Sequence, residues 1–132
     1  MSRTFLLIGA INGFLTVAIG AFGAHALRGH IEGYYYDVFQ TGVQYQGLHA
    51  LALLIGGLLC LHHTSAWVKG AGWLFLAGIV LFSGSLYLLA LTGSRPWGII
   101  TPIGGLCFLA GWVSFGIAAW RITKMGQVKP DE

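Results

Sequence analysis

The chain has 132 residues, of which 56% are hydrophobic and only 8% are charged, and its formal net charge is +3. Typical globular proteins carry about 25% charged residues, so this chain has too few charges to cover an aqueous surface. The composition excludes a water-soluble globular domain and indicates a protein surrounded by lipid. The basic residues are spread over separate segments, so the positive charge does not indicate nucleic-acid binding.

Four stretches without Asp, Glu, Lys or Arg follow one another along the chain, at residues 4–24, 38–68, 70–94 and 96–120. A helix needs about 20 mostly apolar residues to span a bilayer. The pattern predicts an all-α integral membrane protein, a bundle of four transmembrane helices with spans near 5–24, 43–61, 71–92 and 101–120. Residues 1–123 then form one membrane domain, and residues 124–132 form a flexible polar tail.

The basic residues are divided unevenly between the two predicted membrane surfaces. Four spans place both termini on the same side, together with Arg3, Lys69, Arg121, Lys124 and Lys129. The other side carries only Arg28 and Arg95. Because cytoplasmic segments hold the excess of Lys and Arg, the distribution predicts that both termini are cytoplasmic.

The first apolar run closes with GAFGAHAL at residues 20–27, where Ala24, His25 and Ala26 have the small-x-small pattern of a signal-peptide cleavage site. The apolar part of a signal peptide is about 7–15 residues long. The run over residues 5–24 is longer, so we interpret it as a retained span.

Small residues recur at helical spacing in the first and fourth predicted spans. Faces of small residues allow membrane helices to approach closely. The two faces either pack on each other or each meet another span. The predicted packing residues are Gly9, Gly13, Thr16 and Gly20 in the first span and Gly104, Gly111 and Ser114 in the fourth.

Polar side chains within the spans are predicted to concentrate in the half nearer the outer surface, taking a rise of about 1.5 Å per residue. One interpretation is that they link helices through hydrogen bonds, each worth about 0.6 kcal/mol on average in membranes. The other is a small-molecule or lipid pocket that opens outward. The candidate pocket residues are His25, Gln46, His49, Ser83, Ser85, Tyr87 and Thr101.

No candidate set matches a known catalytic or metal-binding pattern. Zinc normally takes three or four protein ligands, and only His25 and His49 have similar predicted depths. No acidic residue lies inside a predicted span, which counts against an ion-coupled carrier, because such groups mark the ion pathway. We therefore predict no metal and no cofactor.

Three hypotheses about function follow from these observations. The first is a non-enzymatic accessory or interaction subunit whose partners are the lipid bilayer and another membrane protein or a second copy of the chain. The alternative is a binding or transport module that uses the outer polar pocket. The third is a membrane enzyme in which His25 or His49 acts as a base.

Four segments together carry a family resemblance: GAFGAH at 20–25, YQGLHALAL at 45–53, LFSGSLYLLAL at 81–91 and ITPIGGLCFLAGW at 100–112. They resemble the small bacterial inner-membrane proteins of the domain of unknown function 423 family, the YgdD-like proteins, over nearly the whole chain. The resemblance implies a multi-pass inner-membrane protein with four spans. It implies no activity, substrate or catalytic residue.

Overall fold

A computed structural model describes residues 1–63 and 65–126 of the chain. Within this part the chain forms four long helices, which we number α1 (Ser2–Leu27), α2 (Gly33–His62), α3 (Ala66–Thr92) and α4 (Trp97–Gly126). Each is long and apolar enough to cross a membrane. The predicted fold class, an all-α membrane protein with four spanning helices, is confirmed.

The helices extend beyond the predicted spans, and the first connection is shorter than expected. α2 begins at Gly33, so Asp37 lies within a helix and only residues 28–32 connect α1 to α2. The early turns of α2 are helical because they pack: Tyr35 and Phe39 join a cluster around Leu27. At about 1.5 Å per residue, a 30-residue helix is about 45 Å long, more than the roughly 30 Å hydrocarbon layer.

The helix ends therefore extend toward both headgroup layers. α4 continues to Gly126, so residues 124–126 of the predicted polar tail are helical, and residues 127–132 lie outside the described part. We call the end of the bundle that carries Met1, His62, Ala66 and Arg121 the terminal end. The opposite end carries the connections at residues 28–32 and 93–96.

The central pair of helices, α2 and α3, holds the larger buried share of the bundle. α1 packs mainly along α2, and α4 packs mainly along α3. The main core joins all four helices through Phe5 of α1, Leu53 of α2, Phe75 of α3 and Phe108 of α4.

The small residues of α1 face α2. A Cβ atom at Gly9 would lie 2.9 Å from the Leu54 side chain, and one at Gly20 would lie 3.4 Å from Val43. Thr16 faces Gly47 of α2, because a Cβ atom at Gly47 would lie 3.0 Å from the Thr16 methyl group. Gly13 has no neighbour within 4 Å of its Cβ position. Three of the four predicted residues thus lie at the α1–α2 contact.

The small residues of α4 face α3 rather than α1. Gly104 lies directly on the backbone of Phe82, and a Cβ atom at Gly111 would lie 2.7 Å from the Phe75 ring. The Ser114 hydroxyl donates a hydrogen bond of 2.8 Å to the Trp67 carbonyl. Each small-residue face therefore meets a central helix, which selects one of the two arrangements that the sequence left open.

Two short segments depart from regular α-helical geometry. A π-helical turn over Gly23–Leu27 ends α1, and another over Ile79–Ser83 interrupts α3. The second brings the Ser83 hydroxyl within 2.8 Å of the Gly42 carbonyl, to which it donates. This bond ties α3 to α2 at a point where a Cβ atom on residue 42 would lie 2.8 Å from the Tyr87 ring.

Candidate functional site

The seven candidate polar residues separate into several groups and do not line one cavity in the part of the chain that the structure describes. His25 is exposed in the π-helical turn that ends α1. It follows Asn12 by 13 residues, about 20 Å along a helix axis, and Asn12 is bonded to Gln46. His25 is therefore about 20 Å along α1 from the residue that bonds Gln46.

The position of Gln46 and His49 along α2 follows from where this helix begins. The expected span began near residue 43, which put Gln46 and His49 in its first turns. Because α2 begins at Gly33, Gln46 lies about 20 Å from the start of a helix about 45 Å long. Gln46 and His49 are thus near the middle of α2 rather than at its outer end.

Gln46 is the centre of a hydrogen-bonded chain that crosses three helices. Its Nε2 donates to Oδ1 of Asn12 on α1 at 3.1 Å, and its Oε1 accepts from the Tyr87 hydroxyl on α3 at 2.6 Å. Asn12 in turn donates from Nδ2 to the Ile8 carbonyl at 2.9 Å. The Gln46 amide is bonded at both ends to neighbouring helices, so it links α1, α2 and α3.

Ser85 and Thr101 form a separate pair between α3 and α4. Their hydroxyl oxygens are 2.6 Å apart, and the Ser85 hydroxyl also donates to the Phe82 carbonyl at 2.9 Å. Since a serine hydroxyl has a single hydrogen, Thr101 is the donor to Ser85. The pair therefore needs no ligand or water to satisfy it.

His49 is held by bonds on both ring nitrogens and by a stacked ring. Its Nδ1 lies 2.7 Å from the Tyr45 carbonyl, and its Nε2 lies 3.0 Å from the indole nitrogen of Trp112. An indole N–H only donates, so Nε2 is the acceptor and the imidazole hydrogen is on Nδ1. The ring of Phe108 stacks on the imidazole with centroids 3.5 Å apart and planes 9° from parallel.

These bonds account for the buried polar groups of the described residues. No buried side-chain nitrogen or oxygen atom among residues 1–63 and 65–126 lacks a hydrogen-bond partner. In the same part of the chain, no three His, Cys, Asp or Glu residues are grouped to hold a metal ion, and Cys60 and Cys107 are free thiols. Bonds between different helices are made by Gln46, His49, Ser83, Ser114 and the Ser85–Thr101 pair.

An apolar groove of about 520 Å³ lies between α2 and α4, with part of α3 as its floor. Its rim residues Leu48, Leu106 and Leu109 are exposed on the lipid-facing surface, so the groove opens sideways to the membrane. The residues that line it are Tyr45, Leu48, His49, Phe82, Pro102, Gly105, Leu106, Phe108, Leu109 and Trp112.

This groove was not predicted from the sequence. Its lining on α4 follows a helical repeat, since Gly105, Leu109 and Trp112 are spaced four and three residues apart, the spacing of a shared face. Tyr45 and His49 are likewise four apart on α2. This periodicity marks two faces, but it does not show that they lie opposite each other.

Comparisons with known proteins show the family of the chain. A family model described as "Protein of unknown function (DUF423)" matches residues 19–105. UPF0382 membrane protein YwdK of Bacillus subtilis is 48% identical over 118 residues, covering 89% of this chain and 96% of that protein. A UPF0382 membrane protein of Staphylococcus epidermidis is 47% identical over 119 residues, covering 90% and 97% respectively.

UPF0382 inner membrane protein YgdD of Escherichia coli is 42% identical over 125 residues, which are 95% of each chain. No solved structure is significantly similar to the chain. The family predicted from the sequence segments is confirmed, and so is the location in a membrane. The chain is an integral membrane protein with four spanning helices and belongs to the DUF423 family.

Proposed function

We propose that the protein is a non-enzymatic accessory subunit of the cytoplasmic membrane that acts by associating with another membrane protein or with copies of itself. The cytoplasmic membrane is chosen because YgdD of Escherichia coli, 42% identical to this chain, is named an inner membrane protein. We further propose that both termini of this protein lie on the cytoplasmic side, because the terminal end carries most of the Lys and Arg residues.

The observation that carries the proposal is the internal pairing of the buried polar groups. A side chain that acts as a general base must lie within hydrogen-bond reach of the proton that it removes from the substrate. His49, the most buried histidine, uses both nitrogens on Tyr45 and Trp112, and the Gln46 amide is bonded at both ends. These groups are engaged within the bundle, which favours a structural use of them over catalysis.

The outer faces of the bundle support association within the membrane. Helix association in lipid depends on packing and on small residues at the contact. α4 presents Gly116 with no neighbour within 4 Å of its Cβ position, and Trp112 is exposed at 42%. On α1, Gly13 likewise has open space at its Cβ position, beside Phe14 and Val17, each 73% exposed.

Native mass spectrometry of the protein extracted in polymer-bounded native membrane discs tests this proposal. We expect a discrete assembly that contains a second protein in fixed stoichiometry, or two or more copies of this chain. To locate the contact, a photo-reactive residue is placed at Leu109 on α4 or at Val17 on α1. We expect a protein crosslink from one of these faces. A monomeric mass together with lipid crosslinks alone at both positions would refute the proposal.

The second candidate function is binding of a lipophilic molecule, and the groove between α2 and α4 favours it over the expected polar pocket. Four aromatic residues line this groove, and ligand sites are mostly apolar with few polar groups. A Cβ atom at Gly105 would lie 3.8 Å from the Phe82 ring, which is ordinary contact, so a larger side chain there enters the groove without displacing the backbone.

Gly105→Leu is therefore expected to reduce the amount of any lipophile that copurifies with the protein, as measured by mass spectrometry of the extract. Gly116→Leu is the matched control, because it adds the same side chain to α4 outside the groove lining. Equal retention in both variants, or the absence of a copurifying lipophile from the unmodified protein, would remove this second candidate.

A further inference from the structure

The terminal end of the bundle is strongly cationic. Among the described residues it carries the side chains of Arg3, Lys69, Arg121 and Lys124, and it carries no carboxylate. The opposite end is balanced, since Arg28 and Arg95 are accompanied by Glu32 and Asp37. Asp131 and Glu132, the remaining acidic residues, lie outside the described part. The described terminal end is therefore suited to an anion.

A cavity of about 440 Å³ lies within this cationic end, between the α2–α3 connection and the last turns of α4. His62, His63 and Trp67 line one side, and Arg121 lines the other. The Arg121 guanidinium lies 5.3 Å from the centroid of the Trp67 ring, a cation–π distance. The Trp67 ring thus lies beside the guanidinium at the cavity.

The cavity lies at the level expected for lipid headgroups. Arg121 is the first charged residue after an uncharged run over residues 96–120. Such a run is about 37 Å long as a helix, slightly more than the hydrocarbon layer of about 30 Å. Tryptophans collect at the membrane interface, and Trp67 and Trp120 flank this end of the bundle.

We propose that this cavity binds the phosphate headgroup of an anionic phospholipid. A guanidinium donates to phosphate oxygens through two parallel N–H groups, and Arg121 supplies that fork. Ile122 and Met125, which follow Arg121 on α4, also line the cavity. A cationic site that lies at the headgroup level beside an interfacial tryptophan, Trp67, fits a phospholipid better than it fits free phosphate.

Lipid titration of the purified full chain, followed by native mass spectrometry, tests this inference. Phosphatidylglycerol and phosphatidylcholine with the same acyl chains are added separately to the protein in a neutral detergent. We expect the protein to retain phosphatidylglycerol in preference. Arg121→Gln should weaken its apparent affinity for phosphatidylglycerol about fivefold, the effect of about one basic residue near a membrane surface. Its affinity for phosphatidylcholine should not change.

Arg95→Gln is the matched control, because Arg95 also lines an open cleft but at the opposite end, where Glu32 is nearby. We expect this variant to bind phosphatidylglycerol as the unmodified protein does. Inorganic phosphate at tenfold molar excess over lipid should not displace the bound phosphatidylglycerol.

Three results would overturn the inference. Unchanged affinity in Arg121→Gln would exclude the cavity, and equal losses in both arginine variants would indicate attraction by overall charge. Displacement by inorganic phosphate would indicate a site for a free anion. Arg121 is exposed, so its replacement should leave the helix content unchanged, and circular dichroism of each variant checks this.

Discussion

The indole of Trp112 on α4 donates a hydrogen bond to Nε2 of His49 on α2 across 3.0 Å. Phe108, one turn before Trp112, stacks on the face of the same imidazole. The His49 ring of α2 is therefore held by two residues of α4: Trp112 bonds to the edge of the imidazole, and Phe108 packs on its face. Since His49 is only 1% exposed and bonded at both ring nitrogens, we expect it to contribute to the stability of the bundle.

Trp112→Phe should lower the free energy of unfolding by about 0.6 kcal/mol, and by no more than about 1.7 kcal/mol, the range for hydrogen bonds between membrane helices. His49→Ala should cost more, about 2–5 kcal/mol, because it also removes a buried ring and leaves a cavity. Both values are measured by reversible unfolding in mixed micelles with increasing SDS. A larger loss in Trp112→Phe than in His49→Ala would contradict this account.

The hydrogen bonds of His49 also predict its tautomer. Because Trp112 only donates and the Tyr45 carbonyl only accepts, the neutral imidazole with its hydrogen on Nδ1 satisfies both. Nitrogen-15 NMR of selectively labelled histidine should therefore show one ring in the Nδ1–H form. That signal should change in Trp112→Phe and persist in His25→Ala. A signal from the Nε2–H form at His49 would contradict the assigned bond.

The chain from Asn12 through Gln46 to Tyr87 should behave as one unit. Tyr87→Phe removes a donor and leaves Oε1 of Gln46 without that partner, and Gln46→Leu leaves both Asn12 and Tyr87 with an unpaired group. Loss of one partner costs more than loss of both, because an orphaned polar group keeps its desolvation penalty.

The double variant Gln46→Leu with Tyr87→Phe should therefore lose less stability than the sum of the two single variants. The four unfolding free energies form a double-mutant cycle, which measures the coupling directly. Additive losses would show that the two side chains do not interact, and would refute the hydrogen bond between Gln46 and Tyr87.

The number of helices was predictable from the sequence because lipid imposes a simple requirement. Long uncharged runs of about 20 apolar residues have few alternatives in a membrane. The helix ends were less predictable, since Tyr34 and Asp37 interrupt the hydropathy without interrupting the helix. α2 begins about ten residues before the predicted span, so Gln46 and His49 lie near the middle of the helix although they fall in the first turns of that span.

The partners of the polar residues were not predictable, because hydropathy does not specify how each helix is rotated about its axis. Asn12 was not among the candidate pocket residues, and yet it bonds Gln46. Trp112 was not a candidate residue either, and its indole bonds His49 near the middle of α2. Such pairs depend on tertiary packing between distant segments, which a single sequence does not encode as a local pattern.

The predicted topology can be tested with introduced cysteines. Cys60 and Cys107 are first replaced by Ala, and a single cysteine is then placed at Ser94 in the opposite-end connection or at Met125 near the end of α4. In spheroplasts, a membrane-impermeant maleimide should label position 94 and should label position 125 only after lysis. Labelling of position 125 in intact spheroplasts would contradict cytoplasmic termini.

The close contact of α3 and α4 at Gly104 gives the most direct test of the packing. A Cβ atom at this position would lie 2.8 Å from both the Leu81 carbonyl carbon and the Phe82 Cα. These are backbone atoms, so no change of rotamer relieves the overlap, and the two helices must separate. Gly104→Ala should therefore lower the free energy of unfolding by about 1–3 kcal/mol, the range for overpacking.

Gly116→Ala is the control on the same helix, because nothing lies within 4 Å of its Cβ position. It should leave stability unchanged or raise it by up to about 1 kcal/mol, since Ala favours the helix over Gly. The two variants differ only in what the added methyl group meets, and SDS unfolding compares them under identical conditions. Equal stabilities would mean that α4 does not approach the α3 backbone at Gly104, and the arrangement of this helix pair would then be wrong.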